Sequence, residues 1–316
     1  MKLSIFSLIV ISVITLASCR KDKVQPTIKQ YDQTQIQNYI NANGLTDFIR
    51  DTIGGDTTGI YYKIINPGTR IDSKGNPVHP LEYWNQVAYV FTVRTLDGTY
   101  IASDTINNHF YDFVGHIHND NQPLGLQTAI HNLLKYPDAS MRVIIPSHLA
   151  YGLAGTGSGS SQVANSRIAG NESLDYYIHA INNFPVYDDM VIQNYMKANN
   201  LSGYTKTADG LYYSVLTPAS TNDPIADYST ITATYTGQLL NGQIFDGSHN
   251  GTNIASFAIS SFATPGNVEG LEKFAVAGTK ISLLIPSSLG YGVSAQASLP
   301  AFSCMRFTWQ VLTVSP

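Results

Sequence analysis

The residues of this chain that could do chemistry are mostly aromatic and uncharged. In the C-terminal half, Phe245 is followed directly by Asp246, with Tyr235 before this pair and Tyr291 well after it. Tyrosines in strands are usually half-buried packing residues, and an aspartate before Gly-Ser is usually a turn carboxylate. Residue type alone therefore leaves structural roles open for all four.

Other kinds of reactive site find little support in the sequence. His116-Ile117-His118 would place two imidazoles on one face of a strand, where a metal pair is conceivable. No Cys, Asp or Glu cluster lies at ligand spacing around them, so we predict no metal and no organic cofactor. The loop Gly155–Gly159 lacks the Gly-Lys-Ser/Thr end of a phosphate-binding loop, and no nucleophile elbow with ordered Asp and His partners is present. A hydrolase is disfavoured.

Composition narrows the class of protein further. The chain has 316 residues, which suggests about two domains, and 43% of them are hydrophobic, which is enough for ordinary cores. Only 13% are charged, and 18 basic against 22 acidic side chains give no electrostatic basis for binding nucleic acid. The low charge also excludes a disordered charged polymer.

The N-terminus has the pattern of an export signal. Lys2 precedes an uncharged apolar run over residues 3–18, too short for a comfortable membrane span. The run ends in Leu16-Ala17-Ser18-Cys19, which resembles a bacterial lipobox. We predict a signal peptide over 1–18 and an acylated Cys19 that holds the protein in the cell envelope, with Arg20 favouring the outer membrane. A plain secretory signal with a chance cysteine is the alternative.

The rest of the chain contains the same plan twice. Ile36–Ile40 recurs as Ile192–Met196, and Ile145–Gly152 recurs as Ile285–Gly292. Between these landmarks, each copy has an alternating strand that runs into Asp97-Gly98 or Asn241-Gly242, which predicts two-residue hairpin turns. We predict a polar lipidated tether over 19–33 and domains over 34–184 and 185–316, each α+β. Cys304 is predicted to be a buried, inert thiol.

Each copy is predicted to begin with a helix and to enclose another. Asp32 or Thr34, and Asp188, are candidate N-caps for the leading helices. The inner helices are indicated by helical spacing over residues 126–133 and 271–275. A bent antiparallel sheet that covers one short helix is the simplest architecture for this order.

The second copy resembles FKBP-type peptidyl-prolyl cis–trans isomerases. The carrying motifs span about 205–316 and follow the family's order; they are Tyr235-Thr236-Gly237, Phe245-Asp246-Gly247, Val268-Glu269-Gly270-Leu271, Leu289-Gly290-Tyr291-Gly292, Leu299-Pro300 and Phe307. The resemblance implies two tandem FKBP-like domains, with the second acting on proline-containing polypeptides.

The resemblance also implies a role for each matching residue. The aromatic walls of a prolyl pocket would be Tyr235, Phe245 and Phe307, with Asp246 at the pocket's edge near the Tyr235 hydroxyl. Tyr291 would donate its hydroxyl to the substrate carbonyl. Substrate-binding positions would be filled by the Val268 backbone amide, Leu271 as the floor, Leu299 as a further wall and Phe257 near the bulged strand.

Both copies depart from the family pattern. The family usually has Trp at the floor, where this chain has Leu271 and, in the first copy, Leu126. The first copy also has Phe91-Thr92-Val93 for Tyr-Thr-Gly and Ile101-Ala102 for Phe-Asp, although Tyr151, Ile168 and Tyr176 keep wall-like positions. We therefore predict an isomerase in the second copy and no efficient isomerisation in the first. The alternatives are a non-catalytic polypeptide-binding lipoprotein and a structural envelope component.

Overall fold

The structure is a computed structural model that describes residues 27–53, 58–160, 162–219, 222–248, 253–294, 296 and 299–316. The predicted signal peptide and Cys19 lie outside these residues. None of the helices within the described ranges combines the length and the apolar composition that a membrane span requires.

Each half of the chain starts with a helix and then forms an antiparallel sheet. The N-terminal half contains α1 (Ile28–Ala42), β1 (Ile49–Arg50), β2 (Tyr61–Asn66), β3 (Gln86–Thr95), β4 (Ile101–Ala102), β5 (His109–Phe113), α2 (Leu124–Ala129), β6 (Ser140–Ile145), β7 (Thr156–Gly157), β8 (Arg167–Ile168) and β9 (Leu174–Ile181). The C-terminal half contains α3 (Phe184–Ala198), β10 (Thr205–Lys206), β11 (Tyr212–Thr217), β12 (Thr230–Leu239), β13 (Ile244–Gly247), β14 (Ala255–Ala258), α4 (Pro265–Phe274), β15 (Lys280–Ile285) and β16 (Met305–Ser315).

The two sheets share one strand order. The first runs β1-β2-β6-β9-β3-β4, with β5 also paired to β3. The second runs β10-β11-β15-β16-β12-β13, with β14 also paired to β12. Strands at corresponding positions have corresponding partners, which confirms the predicted α+β class and the tandem arrangement of one fold.

The inner helices pack closely on their sheets through glycines. A Cβ on Gly125 would lie 2.3 Å from Ile145 Cγ2, and one on Gly266 would lie 2.6 Å from Ile285 Cγ2. Any side chain at either position would therefore push the helix off the sheet. Below these contacts, Leu126 and Leu271 are fully buried in the cores of their own copies.

The leading helices begin at other residues than predicted. The N-cap of α1 is Thr27, which forms a capping box with Gln30, and Asn183 caps α3. Residues 28–33 of the predicted tether therefore belong to α1. Thr34 lies within the helix and donates to the Gln30 carbonyl.

The two aspartates predicted as caps have a different role. Asp32 is buried and accepts hydrogen bonds from the Ser147 hydroxyl and from the His148 backbone and imidazole. Asp188 is buried at the corresponding place and accepts from the backbone N–H and the hydroxyl of Ser287. Each carboxylate thus ties a leading helix to the Pro-Ser turn that follows β6 or β15.

Two further local predictions need correction. The hairpin turns are longer than two residues, because the bonds from Thr95 N–H to Tyr100 and from Leu239 N–H to Gln243 leave four and three residues between their ends. Within these turns, only Gly98 and Gly242 adopt the left-handed conformation. The preceding Asp97 and Asn241 instead accept backbone hydrogen bonds from the residue two positions on. Residues 114–120 form a 3-10 helix, so the histidine pair at 116 and 118 does not lie on a strand.

Candidate active site

The strand register brings the predicted site residues together around Gly237. On one side, Gly237 pairs with Phe307 of β16, and on the other it pairs with Asp246 of β13. Tyr235 lies two residues earlier on β12, so it shares the face of Gly237. The central strand β12 therefore positions one carboxylate and two aromatic rings.

Gly237 allows the aromatic rings to approach the strand. A Cβ at this position would lie 2.8 Å from Phe307 Cε1 and 3.2 Å from Phe245 Cζ, closer than carbon atoms normally approach. In its absence, the rings of Phe245 and Phe307 meet edge to face with centroids 5.7 Å apart. The glycine is thus required for this pair of rings.

A hydrogen bond links the tyrosine and the carboxylate. The Tyr235 hydroxyl donates to Asp246 Oδ1 at 2.7 Å, and Asp246 also accepts from the Gly247 backbone N–H. Burial, with the Asp246 hydrogen bond and charge, raises the pKa of Tyr235. Burial and the Asp246 charge likewise raise the pKa of Tyr291. Both hydroxyls therefore stay protonated at neutral pH, and Tyr291 can donate to an incoming carbonyl.

The substrate-binding residues predicted from the resemblance belong to the same apolar cluster. Phe257 packs edge-on against Tyr235, with centroids 5.3 Å apart. Leu271, Leu299 and Phe307 are buried in the cluster, whereas its partly exposed members include Tyr235, Phe245, Phe257, Val268 and Tyr291. The cluster thus presents a strip of exposed ring and methyl groups above a closed base.

Trp309 is a member of this site that the sequence analysis missed. It is 1% exposed and stacks on Tyr235 with centroids 4.5 Å apart and planes 13° apart. Its indole N–H donates to Asn267 Oδ1 at 2.9 Å, and Phe257 meets it edge-on. The cluster therefore contains a tryptophan beneath Tyr235 that comes from β16, whereas position 271 of the inner helix holds a leucine.

Several described cavities lie away from this cluster. One of 460 Å³ lies between α1 and the β3–β4 turn, with a mixed lining that includes Asn38, Asp97 and Glu172. No predicted site residue lines it. A choice by cavity volume would select this cavity as the candidate active site. The aromatic rings and the Tyr235–Asp246 hydrogen bond instead select the cluster around Gly237. Among the described residues, no three or more His, Cys, Asp or Glu side chains converge as metal ligands.

Comparison with known proteins finds a family match within the second copy. Residues 222–312 match the family model of FKBP-type peptidyl-prolyl cis-trans isomerases, and this range contains all nine residues predicted for the pocket. Residues 222–312 thus form an FKBP-type domain within the C-terminal half.

Similar proteins overlap with only part of the chain. The isomerase FkpA of Buchnera aphidicola is 33% identical over 129 residues, which are 41% of this chain and 51% of that protein. FkpA of Escherichia coli K12 is 32% identical over 114 residues, or 36% and 41% of the two chains. A crystal structure of Escherichia coli FkpA overlaps with a TM-score of 0.37 and 28% identity, over 42% of this chain and 62% of that one. The chain thus spans about half the length, or less, of these curated relatives.

The corresponding place in the first copy is filled. Val93 stands at the position of Gly237, since it pairs with Tyr176 on one side and Ala102 on the other. Ala102 therefore occupies the place of the FKBP-type domain's carboxylate. Phe91 and Tyr176 are buried, with ring centroids 5.4 Å apart. The first copy has the fold without the Tyr–Asp pair and without a glycine between its rings.

Proposed function

We propose that the FKBP-type domain catalyses the cis–trans isomerisation of prolyl bonds in polypeptides. The observation that carries this proposal is the 2.7 Å hydrogen bond between Tyr235 and Asp246 at the edge of a partly exposed aromatic cluster. The domain-wide match over residues 222–312 supports the same activity.

The proposed mechanism follows from the electronic structure of the amide. Rotation about a peptide bond crosses a barrier of about 18–20 kcal/mol, because the twisted amide loses its resonance. The twisted form is less polar than the planar one, so a dry aromatic wall of Phe245 and Phe307 favours it. Catalysis is then differential binding of the twisted form, assisted by desolvation.

Three polar groups orient the substrate in this proposal. The Tyr291 hydroxyl donates to the substrate carbonyl, and Asp246 faces the twisting amide while it holds the Tyr235 hydroxyl. The Val268 backbone N–H makes only a long bond of 3.5 Å to the Thr264 carbonyl near the start of α4. This amide is therefore available to bind the substrate backbone.

The activity can be tested on a short peptide whose cis and trans prolyl forms give separate NMR signals, so that their rate of exchange can be measured. We expect the mature protein to accelerate exchange, and Asp246→Ala or Tyr291→Phe to slow it without unfolding the domain. Tyr151→Phe, at the corresponding tyrosine of the first copy, is the matched control and should retain the full rate. No acceleration by micromolar protein would reject the enzyme.

We also propose that the protein works in the cell envelope, anchored through acylated Cys19. The lipobox-like end of the apolar run supports this placement. Two or more acyl chains would give stable anchoring, where a single chain would not. Metabolic labelling with a radioactive fatty acid should mark the wild-type protein and not Cys19→Ser, and labelling of both would rule out this anchor.

A non-catalytic polypeptide-binding role is the second candidate. Leu271 and the fully buried base of the cluster favour it, because they reduce the aromatic platform offered to a prolyl ring. This role predicts that the wild-type protein and Asp246→Ala suppress the aggregation of an unfolded client equally well. It also predicts that neither accelerates prolyl exchange.

A further inference from the structure

The two copies meet at the loop that joins β15 to β16. Phe302 of this loop is completely buried in a cluster with Ala88 and Val90 on β3 of the first copy. Its ring stacks on the His109 imidazole, with centroids 4.4 Å apart and planes 14° apart. His109 is buried too, and its Nδ1 lies 3.2 Å from the Ala301 carbonyl oxygen, so a neutral ring protonated at Nδ1 donates to it. The stacking of Phe302 on His109 and the hydrogen bond from His109 to Ala301 thus hold this loop against the first copy.

The conformation of Phe302 indicates that its ring is needed for this contact. Its φ is +43°, a region that bulky residues rarely adopt. The corresponding residue of the first copy is Asn171, with φ +62°, and Asn tolerates this region well. Both backbones make the same bond, since Phe302 N–H donates to Gly292 and Asn171 N–H donates to Gly152. The loop needs no phenylalanine to fold, so the burial of the ring has to offset the strain.

Site residues lie on both sides of Phe302, in the held loop before it and at the start of β16 after it. Leu299 lies three positions before it and Phe307 five positions after it. The 2.7 Å bond from the Phe302 N–H to the Gly292 carbonyl ties the loop to the residue that follows Tyr291. A displacement of Phe302 would therefore reach the proposed carbonyl donor and one wall of the cleft.

The first copy holds a second loop of the site through the segment 104–109. Asp104 Oδ2 accepts a hydrogen bond of 2.7 Å from the side chain of Asn241, in the turn that leads into Phe245 and Asp246. Ile106 of the same segment packs against both apolar clusters of the second copy. One segment of the first copy therefore contacts both loops that flank the site.

We propose that the first copy positions the active-site loops of the second through segment 104–109, with Phe302 as the positioning residue. The first copy thus contributes to the reaction although it lacks the Tyr–Asp pair and the glycine at the position of Gly237. The activity part of this proposal rests on the proposed isomerase function. The holding of the loops does not, and it can be measured separately.

Phe302→Asn keeps the left-handed conformation already seen at Asn171 but removes a fully buried ring, so circular dichroism of the variant has to confirm that it folds. In the full chain, we expect KM for a prolyl peptide to rise by about fivefold, which corresponds to about 1 kcal/mol of binding free energy. We also expect the amide hydrogens of residues 285–294 to exchange about tenfold faster. Ile106→Ala, which changes a first-copy residue that packs on the second copy, should give both effects in the same direction.

A double variant of Phe302→Asn and Ile106→Ala shows whether the two residues act through the same interface or destabilise the protein independently. The double variant should be little worse than Phe302→Asn alone, since residues acting through one interface are not additive. The control Leu153→Ala changes a side chain of the first copy that is 82% exposed, and both readouts should keep their wild-type values. Unchanged exchange of 285–294 in both single variants would overturn the proposal. Faster exchange in a protein without isomerase activity would instead reject the proposed function alone.

Discussion

Replacing Gly237 by alanine tests how the aromatic cleft is built. The new Cβ would lie 2.8 Å from Phe307 Cε1 and 3.2 Å from Phe245 Cζ. Carbon atoms in contact are normally about 3.5–4.0 Å apart, so the Phe307 ring has to move by roughly 0.7–1.2 Å. The first copy carries Val93 at this place and has a filled interior, which indicates the direction of the change.

The effect on stability combines two opposing contributions. Overpacking of this kind costs about 1–3 kcal/mol, whereas alanine is favoured over glycine within a strand by roughly 0.5–1 kcal/mol. The free energy of unfolding should therefore fall by about 0–2.5 kcal/mol. Because the displaced rings are the proposed walls, kcat/KM should fall by about tenfold, which corresponds to about 1.4 kcal/mol of transition-state binding.

Urea unfolding and the prolyl exchange assay measure these two effects separately. Gly98→Ala, at the equivalent turn of the first copy, is the matched control, because Gly98 has φ +75° and an added Cβ would meet only the end of the Arg94 side chain at 3.4 Å. That control should lose stability through backbone strain and keep its kcat/KM. A Gly237→Ala variant with wild-type kcat/KM would refute the assignment of Phe245 and Phe307 as pocket walls.

Three further predictions follow from the site and the contact between the copies. Trp309→Phe should lower the free energy of unfolding by about 1–3 kcal/mol in urea, because the buried Asn267 side-chain oxygen loses its indole donor. The raised pKa values of Tyr235 and Tyr291 keep both hydroxyls protonated, so the isomerisation rate should stay constant from about pH 6 to pH 9, and a fall within that range would contradict their role as neutral donors. Burial lowers the pKa of His109 from 6.5 to about 4, so below pH 6.5 the unfolded chain binds a proton that the folded chain does not. The free energy of unfolding should therefore fall by about 3 kcal/mol as pH drops from 6.5 to 4, and His109→Gln should remove this component of the pH dependence in urea titrations.

The repeat could be predicted from sequence because local patterns specify it. The helical period of Ile36–Ile40 and Ile192–Met196 and the repeated Ile-Pro-Ser turns keep their order along both copies. Apolar periodicity of this kind decides which face each element buries, so it predicted two equivalent sheets with inner helices. The family resemblance then predicted that Tyr235 and Asp246 would meet, as they do.

Contacts between distant residues were beyond local patterns. Trp309 alternates with polar neighbours as any strand residue would, and its stacking on Tyr235 depends on the pairing of β12 with β16. Asp32 and Asp188 have the residue type of N-caps, but each bonds a serine about a hundred positions away in the chain. Thr27 and Asn183 then serve as the caps.

The helix α3 packs on both copies at once. Tyr187 lies in the cluster that contains Ala88 and Phe302, while Tyr195 lies in the cluster that contains Leu240 and Leu284. A cut at the start of this helix would expose Tyr187 to water, and a cut after it would remove the packing over Leu240 and Leu284. Neither copy can therefore be swapped for a related domain without disturbing the packing of α3. A shortened version of the protein would have to retain this helix together with both sheets.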